Sequence, residues 1–259
     1  MHFIHQKGRH GGKYQAKNAR QGTLCMILYF CNNYTLQTNM QIQYYGQSCF
    51  KITTKPAGRA TEDVVFFIDP FGKELGIRPP QGQADVVFVS HDHFDHNNVS
   101  AIKGEPVIID TPGEYAVKGI NVVGIDSFHD NEEGAKKGRS TIFILEAEEL
   151  KICHLGDLGC DLNGKQLEEI DGVDILFIPV GGEHTIEGKK ATELVRKIEP
   201  AIVIPMHYKV AGSTAEIEDE SKFCTEMGNC PKEKIAKLNI KKKDLEGKTM
   251  EVILMDHEA

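Results

Sequence analysis

At 259 residues and 40% hydrophobic content, the chain has enough material for one large domain or two small ones with a full core. Its 38 acidic residues against 30 basic ones give a formal net charge of -8, which supplies no field to gather phosphates and argues against general binding to nucleic acid or anionic membranes. Seven cysteines, an odd number with no Cys-x-x-Cys, match neither a disulfide framework nor a structural zinc knuckle, and they point to a reducing setting, the cytoplasm.

Residues 1–39 are rich in Gln, Asn, Gly, Lys and Arg around one apolar patch, Leu24-Cys25-Met26-Ile27-Leu28-Tyr29-Phe30-Cys31. That patch is far shorter than the roughly 20 residues that cross a bilayer. A basic start before a short apolar run resembles a signal peptide, yet no small-x-small cleavage site follows, only Asn32-Asn33-Tyr34-Thr35. Globular patterning begins at Met40. The segment therefore reads as a disordered N-terminal extension whose removal leaves folding and activity nearly unchanged, with His2, His5 and His10 as tail residues.

From Met40 the chain alternates as strands do, over 41–46 and then 48–53, with a glycine between. Lys55-Pro56-Ala57-Gly58-Arg59 marks a turn. Residues 64–68 form a buried strand ending in Asp69-Pro70, where the proline stops the ladder and leaves a carboxylate at the strand's end. The apolar run at 84–89 leads into Ser90-His91-Asp92-His93-Phe94-Asp95-His96, three imidazoles and two carboxylates within six residues. Imidazole nitrogen and carboxylate oxygen together suit zinc, manganese or iron, and such tight spacing lets one loop serve two adjacent ions. The alternative, a solvated polar turn, leaves this donor density without a reason.

Beyond that loop, residues 107–110 and a hairpin over 115–125, turning near Gly119, continue the β pattern. Residues 125–130, which carry His129, open onto 131–139, a stretch of charge and glycine that reads as a mobile loop, either bordering an active site or merely solvated. Strands at 141–145 and 150–154 follow, the second ending in Gly156-Asp157-Leu158-Gly159, whose glycines permit close backbone approach beside the Asp157 carboxylate. Residues 166–170 suit a short helix, and 173–180 a strand ending in Gly181-Gly182-Glu183-His184-Thr185. Residues 189–198 suit a helix with Ala191, Leu194, Val195 and Ile198 at three-to-four spacing. The strand at 201–206 delivers His207 and Tyr208. The acidic stretch 216–220 and the basic stretch 232–243 read as surface faces of helices, and a last strand at 250–255 completes a sheet.

Asp69, His91, His93, Asp95, His96, His129, Asp157 and His207 all fall at or just beyond the ends of apolar runs. Strand ends gathered on one edge of a layered α/β fold are where such proteins place their chemistry. The pattern resembles the metallo-β-lactamase superfamily from about Met40 to at least Tyr208. It is carried by Asp69 after a strand, the His-x-His-x-Asp-His block, His129, Gly156-Asp157 and the strand-end His207. Ile204-Pro205-Met206-His207-Tyr208, with Pro179-Val180-Gly181-Gly182 before it, is similar to the branch of ascorbate-6-phosphate-lactonase-like and related hydrolases.

The resemblance implies an α/β fold, a four-layer αββα sandwich over 40–259, with two metal ions per chain between the edges of the sheets. Zinc is the expected ion, with manganese or iron as alternatives. By matching positions, His91, His93 and His129 would hold one ion and Asp95, His96 and His207 the other, with Asp157 bridging. Asp69 would orient a ligand rather than bind directly. His154 and His184 also stand near strand ends. His129 is favoured over His154 because the latter sits inside a strand, where a satisfied buried imidazole is the commoner outcome; His184 reads as a group at the rim or behind the ligands.

A class B β-lactamase would usually show a cysteine where Asp157 stands, and a flavodiiron protein a glutamate in place of His93. The chemistry then implied is hydrolysis, in which a metal-bridging water attacks an ester, lactone or phosphoester of a small metabolite, with Asp157 as the bridge and Asp95, His96 or a water taking the proton. A tRNA-processing type of phosphodiesterase shares these ligands but needs a basic arm, which the acidic balance disfavours. A non-catalytic metal protein has less use for two ligand sets, since the seven donors exceed the four of one tetrahedral zinc.

Overall fold

The computed structural model describes residues 39–55 and 62–258, so the expectations for the N-terminal segment and for most of the turn at 55–59 lie outside the described residues. Runs of β-branched and aromatic residues build a first sheet. β1 (Met40–Gly46), β2 (Cys49–Thr54) and β3 (Val64–Ile68) form an antiparallel meander. After the two-residue β4 (Gly82–Gln83), β5 (Val86–Phe88) joins β3 in parallel. β6 (Ile102–Lys103) pairs with β4 apart from the main sheet, and β7 (Val107–Ile109) adds in parallel to β5.

The second sheet repeats the scheme. β8 (Gly113–Val117), β9 (Ile120–Phe128), β10 (Arg139–Ala147) and β11 (Leu150–His154) are antiparallel neighbours. The β8–β9 turn has positive φ at both Lys118 (52°) and Gly119 (78°), the backbone of a two-residue hairpin whose twist matches its strands. β12 (Ile175–Pro179) and β13 (Ile202–Met206) then add in parallel. β14 (Lys237–Ile240) returns to the edge of β1, and β15 (Glu251–Val252) closes the second sheet beside β13. The orders are β14-β1-β2-β3-β5-β7 and β15-β13-β12-β11-β10-β9-β8.

The sheets face each other through aromatic contacts: Phe50 stacks on Phe177 at 4.2 Å, and Phe88 meets Phe143 at 5.3 Å. The inner strands are apolar throughout, as in Val64-Val65-Phe66-Phe67-Ile68, because both of their faces are covered. α1 (Gly164–Ile170) starts at a capping box between Asn163 and Gln166. α2 (Gly188–Ile198) buries Ala191, Leu194, Val195 and Ile198, the expected face, against the core. α3 (Ser221–Met227) packs beside α2. This is the α/β sandwich expected from the sequence, although the connections between β3 and β7 hold 3-10 turns (Lys73–Leu75 and Val99–Ala101) rather than α-helices.

Three expectations fail. The stretch 216–220 is not helical, and 232–243 holds no α-helix, only the start of a 3-10 turn at Lys242–Leu245. The acidic one is an irregular segment pinned by Glu218, whose N–H donates to Gly181 O at 2.9 Å. The basic one contains β14, where Leu238 and Ile240 turn inward between exposed Lys237 and Asn239, a period of two hidden by the lysines. Lysines suit such an edge strand, since they discourage further pairing. The last strand is also shorter than expected, because beyond Val252 the chain crosses to the first sheet, where Glu258 N–H donates to Tyr44 O at 2.9 Å. Cys224 and Cys230 are disulfide-bonded, so the cysteines are not all thiols and the cytoplasmic setting loses that support. Cys49 and Cys153 are buried thiols. None of the described helices is long and apolar enough to cross a membrane.

Candidate metal centre

Parallel pairing brings the C-terminal ends of β3, β5, β11 and β13 to one edge of the sandwich, and each carries a candidate ligand or its support. Asp69 follows β3, the His91–His96 loop follows β5, Asp157 follows β11 and His207 follows β13; His129 comes directly after β9. The β1–β2 turn, Gly46-Gln47-Ser48, reaches the same edge. Asp69 (φ 47°), His207 (φ 49°) and Gln47 (φ 52°) all adopt the left-handed backbone that side chains disfavour. Tertiary hydrogen bonds hold them there: Asp69 N–H donates to Phe88 O at 2.9 Å, and His207 N–H to Gln47 O at 2.7 Å.

Three sets of donor atoms lie within 4.8 Å of one another: His91, His93 and His129; His91, His96 and Asp157; and Asp95, His96 and His207. The Asp157 carboxylate sits among them, with Oδ2 3.1 Å from His207 Nε2, 3.2 Å from His96 Nε2, 3.4 Å from His129 Nε2 and 4.0 Å from His91 Nε2. Its Oδ1 accepts from Ser48 Oγ at 3.0 Å. Asp69, fully buried, accepts from Ser90 N–H and Ser90 Oγ, both at 2.7 Å, and its Oδ2 lies 3.2 Å from His96 Nδ1. Gln47 Nε2 donates to Asp95 Oδ2 at 2.9 Å and stands 3.0 Å from His207 Nε2.

The electrostatics follow from this crowding. Burial, aided by the neighbouring His96, pushes the His91 imidazole down to about 3. Burial likewise lowers His129. Burial also disfavours a charge on His96, but the adjoining carboxylates of Asp157, Asp69 and Asp95 together carry it well above its ordinary value. Asp157 is held far below the usual carboxylate range, because the charges of His207 and His96 outweigh its burial. Nδ1 of His129 and of His207 are buried without a hydrogen-bond partner among the described residues, and the two nitrogens of His96 face only carboxylates, Asp69 and Asp157, each at 3.2 Å. Four imidazole Nε2 atoms turned toward one carboxylate oxygen are a donor set suited to cations.

His154 is buried, its Nε2 donating to Ser48 O at 2.9 Å while Nδ1 accepts from Gly156 N–H at 3.2 Å, so both nitrogens are satisfied away from the cluster. His184 is exposed at the rim, in contact with Lys137. A cleft of about 510 Å³ opens over the cluster, lined by His93, Asp95, His129, Asp157 and His207 and walled by Leu75, Phe94 and Ile217 among others. Gly159 lets β11's exit press on the His129 backbone, since a Cβ there would lie 2.3 Å from His129 O.

Several residues of this edge carry no motif in the sequence: Gln47, Ser48, Asp130 and Lys137. Asp130 corrects the reading of 131–139 as mobile. Its carboxylate accepts from the backbone N–H of Glu132 (2.8 Å), Gly134 (2.9 Å), Lys136 (3.0 Å) and Lys137 (2.7 Å). Desolvation opposes ionisation, but these four donors bring its carboxyl down to about 2. An Asp followed by a Gly-containing loop is the one sequence signal that could have pointed to this turn.

Residues 41–207 match the family model described as the Beta-lactamase superfamily domain. A UPF0173 metal-dependent hydrolase of Carboxydothermus hydrogenoformans is 28% identical over 218 residues, covering 71% of this chain and 92% of the relative. A solved structure from Thermotoga maritima, assigned as a Zn-dependent hydrolase of the metallo-beta-lactamase superfamily, is 34% identical, with a TM-score of 0.66 over 83% of this chain and 98% of that one. Igni18, a metallo hydrolase of Ignicoccus hospitalis, shares the fold at 18% identity, with a TM-score of 0.57 over 86% of this chain and 97% of that one. With the family model spanning most of the described chain and the strand-end histidines and aspartates inside its bounds, the chain belongs to the metallo-β-lactamase superfamily.

Proposed function

We propose that the protein is a hydrolase of a small metabolite, dependent on two divalent cations per chain, and that it cleaves an ester, lactone or phosphoester bond. The observation that carries this is Asp157 Oδ2, a buried anionic oxygen with four imidazole nitrogens between 3.1 and 4.0 Å away. His91, His93 and His129 would hold one ion, Asp95, His96 and His207 the other, with Asp157 shared; the three donor sets support that division. The nitrogen and oxygen donors suit zinc, manganese and iron, and zinc is the ion proposed. Bound there, the cations would lower the pKa of a coordinated water toward neutrality and polarise the substrate's oxygen.

The chain's own residues supply the rest. Asp69 fixes the Ser90 backbone and the His96 ring together, which sets the direction of the loop that bears four of the candidate donors. Ser48 holds Asp157 Oδ1, leaving Oδ2 for the centre. Of the candidates for accepting the proton, Asp95, His96 or a further water, Asp95 lines the cleft whereas His96 is fully buried. Asp95 is ionised, as its proximity to His96 outweighs partial burial and holds its carboxyl well below the usual range. The proton is therefore assigned to Asp95 Oδ1, since Oδ2 is engaged by Gln47. His184 belongs to the rim. A cytoplasmic setting is part of the proposal and is checked by cell fractionation.

The test is reconstitution with each metal, followed by elemental analysis and a panel of lactones, esters, thioesters and phosphodiesters. Two ions per chain and turnover abolished by a chelator are the expected results. Saturation at one ion, or turnover by the metal-free protein, would overturn the dinuclear reading.

A further inference from the structure

The loop after His129 is built around a single side chain. Asp130 gathers four backbone N–H groups, and the loop is closed at its base by Gly138, whose N–H donates to Gly134 O at 2.9 Å and whose carbonyl accepts from His129 N–H at 3.1 Å. The last N–H that Asp130 takes is that of Lys137, so the residue next to a candidate ligand decides where the Lys137 side chain starts. From there Lys137 Nζ donates to Glu183 O at 3.2 Å and to His184 Nδ1 at 2.8 Å, and it lines the cleft.

The direct contacts of the ammonium are both to uncharged groups, while the carboxylates of Asp157, Asp130 and Glu183 act on it from farther off. An ammonium only donates, so His184 Nδ1 is an acceptor, its proton sits on Nε2 and the ring is neutral in this contact. Both partners of Lys137 are thus uncharged acceptors. They occupy two of its three N–H groups, and no carboxylate among the described residues forms an ion pair with it. Among the described residues that line the cleft, Lys137 is the only lysine or arginine. A loop pinned this firmly, holding at the mouth of a cleft a cation with no carboxylate in direct contact, is poorly explained as packing, because an uncharged donor would bridge Glu183 and His184 as well. Charge-assisted hydrogen bonds to oxyanions are about twice as strong as neutral ones and supply a use for the remaining N–H.

We propose that Lys137, seated by Asp130 and steadied by His184, binds an anionic group of the substrate, a carboxylate or a phosphate separate from the bond that is cleaved. The inference rests on the hydrolase reading for what happens at the other end of the molecule. It narrows the substrates to acidic metabolites whose anionic group and scissile bond both fit in about 510 Å³, with an apolar portion against Leu75, Phe94 and Ile217.

The test uses the metal-reconstituted full chain and calorimetric titration with butyrate, succinate and 3-phosphonopropionate, probes that share one carboxylate and differ in the second group. Wild type is expected to bind at least one of the two dianionic probes about tenfold or more tightly than butyrate. Lys137→Met should lose that preference, and Lys137→Arg should keep most of it. The stronger of the two dianions identifies a carboxylate or a phosphate as the recognised group. A wild type without preference, or a Lys137→Met variant that retains it, would overturn the proposal. Because binding is read without turnover, a protein that shows the preference yet hydrolyses nothing in the panel would sink the hydrolase reading alone, and a hydrolase without the preference would sink only the role of Lys137.

Discussion

Asp69→Asn isolates the support of the centre from its donors. The substitution keeps the shape, and asparagine tolerates the left-handed backbone that Asp69 adopts at φ 47°. Oδ1 can still accept from Ser90 N–H at 2.7 Å, but an amide nitrogen then replaces Oδ2, which accepts from Ser90 Oγ and faces His96 Nδ1 at 3.2 Å. With Nε2 directed at the centre, Nδ1 of His96 carries a proton, so a donor would confront a donor in a fully buried site. A contact to a charged partner contributes about 1.5–3 kcal/mol, which corresponds to roughly a ten- to 150-fold loss of affinity for the ion that His96 is proposed to hold. That range overlaps the 10- to 100-fold typical of partners that orient metal ligands. Competition against a chromophoric chelator would measure both sites. The expected result is a weakened site at Asp95, His96 and His207 and a nearly unchanged one at His91, His93 and His129. Equal affinities at both sites in variant and wild type, within about twofold, would refute the role given to Asp69.

Asp157→Asn should bind the second ion weakly and lose activity by more than about 100-fold, measured by metal content and turnover, because its Oδ2 lies 3.1–3.4 Å from imidazole nitrogens of both proposed ion sites. Asp161→Asn, which breaks only a surface pair with Lys190 at 3.2 Å, should change stability by less than about 1 kcal/mol in chemical denaturation. The depressed carboxyl of Asp130, at about 2, makes the 131–137 loop acid-sensitive: its contribution is fully present above the ordinary carboxyl range and is lost as pH falls through about 2. Protection of the Lys137 amide, taken relative to its intrinsic exchange rate, should therefore fall below about pH 4 in wild type, and at every pH in Asp130→Asn, while the core strands stay protected. Gly159→Ala should lower stability by about 1–3 kcal/mol and weaken metal binding, since its Cβ would press on His129 O from 2.3 Å; thermal unfolding with and without metal checks both.

The features legible in the chain are those whose cause is local. A strand buried on both faces must be apolar throughout, as in β3, β12 and β13, and a helix packed by one face must space its apolar residues as α2 does, so these elements are written in consecutive residues. The density of imidazole and carboxylate between His91 and His96 is likewise a local anomaly, which marks the edge of the sandwich before any fold is known. Local patterning misled where charge overlay it, as at β14, and where two cysteines became partners through the turn after α3. Only the tertiary structure decided which residues stand behind the cluster. Gln47 meets Asp95 across 48 positions and His207 across 160, and Ser48 meets Asp157 across 109. Lys137 meets His184 across 47. Glutamine, serine and lysine are ordinary surface residues in sequence, and their meaning here comes from two sheets closing face to face, which brings the β1–β2 turn and the Asp130 loop to the edge where the histidines emerge.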